Sequence, residues 1–425
     1  MGSSLPTSPR RAAGLRADDP VLLFAAAALA TAVRCLYFQP VPVTRGEMDA
    51  VALTLAHQGF FGNPFPLTGA TGPTAFVPPL YPLFLSLLVR LFGDQGYFLP
   101  LSAATCAIYG LHTALLPLVS ERFLGTRRPG VWAAAACILA PVLLWVPHWD
   151  ALATATSLML FSLAAPRIRT AGTWPAPASR GVFAGVLALL NPSSLLVTVP
   201  IAVLAGWRNP RRLLVLPVFG AAAVLAMAPW LARNWLVLST PALKTNFGVT
   251  LYASNNDCAS PSLLASLASG CHGAHHPFGS FAETGALRAL GEAAYDRSRQ
   301  AAARHWIAGH RAAFLRLTLA RVVEFWFPPL VYGAYAIACW LITAVGAAGL
   351  VLLRRPHRWF FGCSVAVFVL YPPLYYVVIS DPRYRYPILW ISLLGFGYAM
   401  ERLAGTLVRP PRPLHVPAPG GVTVE

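Results

Sequence analysis

Two carboxylates, Glu47 and Asp49, stand two positions apart in the run GEMDAVALTLAHQ. A carboxylate can take a proton from an attacking hydroxyl or amine, so each is a candidate general base. Residues two apart on a helix point about 200° from each other, so the pair would not share one substrate atom and a single base is expected. The same two charges would also suit the solvated face of a helix lying on a membrane. Four cations, Arg233, Lys244, Arg383 and Arg385, are candidates for holding a phosphate, whose oxygens a guanidinium fork matches; the alternative for them is snorkelling to lipid headgroups. Arg383 and Arg385 flank Tyr384 in SDPRYRYP. Asp150 follows His148 and Trp149 in a tight turn between apolar stretches, where a carboxylate is either functional or simply wet. His272, His275 and His276 raise the question of a metal, but no acid stands at fixed spacing beside them, so ordinary loop histidines and no metal are expected. Of seven cysteines, only Cys258 and Cys271 lie in a long polar segment. An oxidising compartment would join them, and two free thiols are the alternative.

The elements that position these residues are written in the composition. Of 425 residues, 56% are hydrophobic and 11% charged, with a mean hydropathy of +0.59, which marks an integral membrane protein. Disorder, collagen-like repeats and a small disulfide scaffold are excluded. The 32 basic against 15 acidic residues give a net charge of +17. In a membrane chain these bases report topology rather than a nucleic-acid partner, and none is expected. Neither a GxxxxGK[ST] loop nor a GxGxxG turn after a strand occurs, and no cofactor is expected.

A span needs about 20 apolar residues. Stretches 20–38, 97–119, 130–147, 150–166, 211–231, 330–353, 359–380 and 386–403 qualify, and 181–207 is broken by Asn191-Pro192-Ser193-Ser194 into two shorter helices. Ten crossings result. With the N-terminus inside, the short inner loops carry arginine clusters such as Arg208, Arg211, Arg212 and Arg354, Arg355, Arg358, as the positive-inside rule requires. The expected organisation is an inner tail 1–19, a transmembrane module 20–231 with a first outer loop 39–96, a long outer segment 232–329, closing helices 330–403 and an inner tail 404–425. In the outer segments, a surface helix is expected from Glu47 to about Gln58, ending at Gly59, and an apolar helix from Leu80 to Phe92, ending at Gly93. Ser280 with Glu283 has capping-box spacing and opens a polar helix through about His310, followed by a more apolar stretch, 311–327. Trp145, Trp149, Trp230 and Trp326 near outer span ends suit either sugar stacking or the ordinary interfacial belt.

The runs GEMDAVALTLAHQGFFGNPF and TGPTAFVPPLYPLFLSLLVRLFG, the segment APWLARNWLVLSTPALKTNFGVTLYASNND, the outer stretch from HPFGSFAETGALRALGEAAYDRS onward and SDPRYRYPI occur in this order along most of the chain. Together they resemble the C-type superfamily of membrane glycosyltransferases, in the bacterial group similar to protein O-mannosyltransferases and the lipid A aminoarabinose transferase, a family-39-like set. The resemblance implies an all-α polytopic bundle of about ten transmembrane helices with periplasmic juxtamembrane helices and a long outer loop. It implies inverting transfer of a sugar from a polyprenyl-phosphate donor, on the outer face of a bacterial inner membrane with both termini cytoplasmic, to an unidentified acceptor. The acid of the family's surface helix maps onto Glu47, and Asp49 falls where that pattern has a small residue. Asn255 and Asn256 also match the group. With Asp150, His148 and Tyr384 they form the expected substrate cavity. Chemistry agrees: such a reaction needs a base for the acceptor, cations for the leaving phosphate and an apolar groove for the lipid. A non-enzymatic flippase or transporter of a lipid-linked sugar, and a polysaccharide ligase or polymerase, stand beside this reading.

Overall fold

The computed structural model describes residues 17–37, 46–140, 143 and 150–407. The first helix is α1 (Pro20–Tyr37). Two helices follow, α2 (Glu47–Gln58) and α3 (Leu80–Gly96), then α4 (Phe98–Leu124), α5 (Arg128–Leu139), α6 (Asp150–Ala164), α7 (Pro175–Leu190), α8 (Leu195–Trp207) and α9 (Arg212–Leu238). The long segment between α9 and the closing helices folds into α10 (Phe247–Ser254), α11 (Leu263–Ala268), α12 (Cys271–His275), α13 (Phe281–Leu290), α14 (Glu292–Gly309) and α15 (Arg311–Trp326). The chain closes with α16 (Ala334–Leu353), α17 (Arg358–Leu370), the single turn α18 (Pro373–Tyr376) and α19 (Tyr386–Leu407). Among the described residues there is no sheet, only two isolated bridges, Gly62 with Pro73 and Ser262 with Ser380.

Helices α4, α9, α16, the α6 run to Ile168 and the α17–α18 run to Tyr376 are each long and apolar enough to cross a membrane. α5, α7, α8 and the Pro20–Cys35 part of α1 are apolar but shorter. The protein is an all-α polytopic membrane protein. In such a bundle close packing replaces the hydrophobic effect, and small residues set the approach. α7 lies along α9 and α16 along α19; at the second contact a Cβ on Gly349 would fall 1.8 Å from the Gly395 carbonyl oxygen, so only glycine fits. A second core forms outside the bundle, where Met48, Val51, Phe65, Phe76, Tyr81 and Leu85 meet Leu287 and Tyr295.

Local signals explain most boundaries. Gly59 ends α2 at φ 78°, its N–H on the Leu55 carbonyl, and Gly93 breaks α3 at φ 76°, a region open to glycine at little cost. The break in 181–207 occurs at Asn191, whose side chain accepts from the Ser193 N–H and so caps the turn into α8. Three expectations need correction. The stretch 359–380 is not one helix, because Pro372 has no N–H to continue it, and the chain bends there into α18. α9 runs on to Leu238, beyond the expected end at 231. The polar helix expected from Ser280 to His310 is two helices, divided at Gly291 (φ 77°, ψ 152°), although Ser280 caps its start as the spacing predicts. The division turns Glu292 inward, where its carboxylate accepts from the Ala75 N–H at 2.7 Å and from the Thr74 and Thr245 hydroxyls. Burial pushes this carboxyl upward from its ordinary range.

Candidate active site

A cavity of about 450 Å³ opens where the N-terminal ends of α2 and α6, the break between α7 and α8, the segment before α10, helix α12 and the loop ahead of α19 converge. Its size is that of a small-molecule site. The break at Asn191 explains part of this convergence, since unwound backbone at membrane depth is tolerated where it lines a cavity.

The cavity brings together two carboxylates, Glu47 and Asp150, and two cations, Lys244 and Arg383, with Tyr384, His272 and His276 on the same wall. Glu47 opens the first turn of α2, and its carboxylate has no hydrogen-bond partner among the described residues. Asp150 is buried at the first residue of α6, and its Oδ2 accepts from the Asn191 side-chain amide at 3.0 Å. Arg383 is oriented by Asp381, whose Oδ1 takes its backbone N–H at 2.9 Å and lies 3.6 Å from its Nε. The Arg383 guanidinium also sits over the Tyr384 ring at 5.2 Å, and Tyr384 stacks on Tyr375 at 4.5 Å. The charge of Glu47 bears on Lys244, Arg383 and Tyr384.

Burial decides the charge states. Desolvation pulls the Lys244 ammonium down to about 8, with Arg383 adding to the fall and Asp150 and Glu47 opposing it. Desolvation likewise brings His272 and His276 down to about 4, so both are neutral at pH 7. Their rings stack at 4.8 Å; His276 Nδ1 accepts the Phe278 N–H at 3.1 Å, and His272 Nδ1 is buried without a partner among the described residues. Neutral imidazoles in an otherwise apolar wall act as hydrogen-bonding groups rather than as cations.

The other expected site residues lie elsewhere. Asp49 faces away from the cavity: Oδ2 accepts the Gly46 N–H at 3.2 Å and Oδ1 the Tyr97 hydroxyl at 2.8 Å, so it caps α2 and ties it to the start of α4. The roughly 200° between positions two apart thus separates a cavity carboxylate from a capping one. Arg233 does not line the cavity. It binds the Phe61 and Thr74 carbonyl oxygens at 2.9 and 2.7 Å, its guanidinium over Trp230, and so fastens the Pro- and Gly-rich loop to α9. Arg385 is buried against Trp326, donating to its carbonyl oxygen at 2.8 Å. Asn255 and Asn256 are buried and bind backbone: Asn255 donates to Leu251 and Val377, Asn256 to Tyr252. The guanidinium of Arg321, fully buried, donates to Asn255 Oδ1 at 3.1 Å and to the Ser254 carbonyl oxygen. His148 lies outside the described residues.

Cys258 and Cys271 are joined in a disulfide that begins α12, the helix carrying His272 into the cavity. Cys258, Cys271 and His275 offer atoms within 4.8 Å of one another, but sulfurs bonded to each other are not thiolate ligands. His275 turns to the Tyr252 ring instead, at 5.4 Å.

Sequence reasoning missed Glu292, Arg321 and the placement of His272 and His276 in the cavity. Only Glu292 carried a signal: Gly291 before an acid inside a helical pattern marks a break.

By sequence the chain matches no family model and no curated protein. By structure it is similar to the oligosaccharyltransferase of Archaeoglobus fulgidus, in a complex with Zn and sulfate, with a TM-score of 0.51 and 16% identity over 91% of this chain and 49% of that one. The chain spans about half the length of that relative. Another similar structure is ArnT from Cupriavidus metallidurans bound to undecaprenyl phosphate, with a TM-score of 0.36 and 16% identity over 91% of this chain and 79% of that one. The likeness is one of architecture: this chain shares the fold of that archaeal oligosaccharyltransferase.

Proposed function

We propose that the protein is a membrane glycosyltransferase that moves a sugar from a polyprenyl-phosphate donor to an acceptor on the outer face of a bacterial inner membrane, in a ten-crossing topology with both termini inside. The observation that carries this reading is the meeting of Glu47, Lys244 and Arg383 in one cavity walled by apolar and aromatic side chains. Base, phosphate clamp and apolar groove are the three parts the reaction requires.

In this mechanism Glu47 accepts the proton of the acceptor hydroxyl or amine as its oxygen or nitrogen attacks the anomeric carbon. The bond from that carbon to the phosphate oxygen breaks, and the lipid phosphate leaves as an anion opposite the acceptor, inverting the anomeric centre. Lys244 and Arg383 meet the charge that develops on the phosphate, in a dry site where such an interaction counts for most. Asp150 helps Lys244 keep its charge against desolvation, and Tyr384 with neutral His272 offers hydrogen bonds to sugar hydroxyls. Asp49, Arg233, Arg385, Asn255 and Asn256 hold the scaffold that brings these groups together.

The test is to give the purified protein a panel of radiolabelled polyprenyl-phosphate sugars with cell-envelope acceptors and to measure release of polyprenyl phosphate. Release coupled to sugar transfer supports the reading. Specific donor binding without any release, across the whole panel, would instead point to movement of the lipid-linked sugar across the membrane.

A further inference from the structure

A second cavity, of about 320 Å³, lies at the other ends of the helices that form the first. The helical run that begins with α6 enters the candidate active site at Asp150 and reaches the second cavity at Pro166, about 24 Å away at the helical rise. α17 runs the opposite way, from Arg358 in the second cavity toward Tyr371 in the first. The two cavities therefore sit at opposite ends of these helices.

The lining of the second combines cationic and aromatic side chains. Arg122, Arg169 and Arg358 contribute the first, and Phe123 and Trp359 the second, with no carboxylate in the wall; His357, whose imidazole burial pulls below its ordinary value, also lines it. The three arginines form no ion pair among the described residues. Phe123 stacks on Trp359 at 5.3 Å, which fixes a flat apolar wall beside the guanidinium groups. We propose that this cavity binds the phosphate headgroup of an anionic lipid in the leaflet opposite the candidate active site. A soluble phosphate would use the arginines alone. An amphiphile uses both kinds of side chain, its phosphate on the guanidinium forks and its glycerol and ester carbons along Trp359, and the ends of α4, α8 and α17 put the site at headgroup depth. The inference goes beyond the transferase reading and does not rest on it.

The full chain in detergent, examined by native mass spectrometry with phosphatidylglycerol and phosphatidylcholine, tests it. The wild type is expected to retain phosphatidylglycerol selectively, and the triple variant Arg122→Gln, Arg169→Gln, Arg358→Gln to bind it about a hundredfold more weakly. These side chains are exposed, so the variant should fold, and the triple Arg→Lys variant should keep part of the selectivity. Phosphatidylglycerol with brominated acyl chains near the headgroup is expected to quench a fluorescence component that Trp359→Phe removes. Equal retention of the two lipids, an unchanged triple variant, or full displacement of phosphatidylglycerol by millimolar inorganic phosphate would overturn the proposal, the last by identifying a soluble anion as the ligand.

Discussion

The side-chain amide of Asn191 donates a 3.0 Å hydrogen bond to Oδ2 of the buried Asp150. One residue stands at the break between α7 and α8, the other at the first position of α6, so the break between two apolar helices fixes a carboxylate at the end of another helix. The same Asn191 accepts from the Ser193 N–H and hydroxyl. Asn191→Ala removes both roles and leaves buried groups unpaired. It should destabilise the protein by about 1–3 kcal/mol, read as earlier thermal unfolding in detergent.

Lys244 gives the site its pH dependence. Its ammonium, pulled down to about 8 mainly by desolvation, loses its charge as pH rises through that value, so kcat/KM for the donor should fall on the alkaline side of about 8. Asp150 opposes the fall, so Asp150→Asn should move this limb to lower pH, a shift that a purely structural role would not produce. Lys244→Arg, which stays charged, should abolish the limb. The linkage sign for stability is opposite: between about 8 and the ordinary lysine value of about 10.4 the unfolded chain binds the proton that the folded one has lost, so this group's contribution to stability rises with pH there.

Glu292 is a scaffold carboxylate. It receives the Ala75 N–H and two threonine hydroxyls, so Glu292→Ala should cost about 1–3 kcal/mol for each donor left buried and unpaired. The signature is a lowered unfolding temperature, with kcat nearly unchanged in whatever protein remains folded at low temperature.

The disulfide between Cys258 and Cys271 anchors the start of the helix that carries His272. The double variant Cys258→Ser, Cys271→Ser should lose about 2–4 kcal/mol of stability and raise the donor KM more than it lowers kcat, because in the proposed mechanism the histidine wall contacts the donor and takes no part in proton transfer. Steady-state kinetics with and without reductant on the wild type should reproduce that split.

Local signals were legible in the chain. Gly59, Gly93, Asn191-Pro192 and Ser280 each mark an element boundary with their own backbone or side-chain chemistry, and the structure has a boundary at each. Partnerships across the fold were not. Arg233 and Arg383 both stand at span ends in sequence, yet one fastens a loop and the other faces the cavity, a difference set by residues such as Phe61 and Asp381 that spacing does not reveal. Asn255 looks like a polar pair member ready for substrate, and it is consumed by Leu251, Val377 and Arg321. His272 and His276 come to the cavity only because the long outer segment folds back over the membrane helices, which no short window of sequence encodes.

The central claim is that Glu47 is the base and its neighbour Asp49 is a helix cap. The most direct measurement is the transfer rate of Glu47→Gln against Asp49→Asn, with donor binding measured on both. The account predicts a loss of about 10²–10⁴-fold in kcat for Glu47→Gln with donor binding kept, and a rate near wild type with reduced thermal stability for Asp49→Asn. Transfer at the wild-type rate in Glu47→Gln, or its disappearance in a fully folded Asp49→Asn, would contradict it.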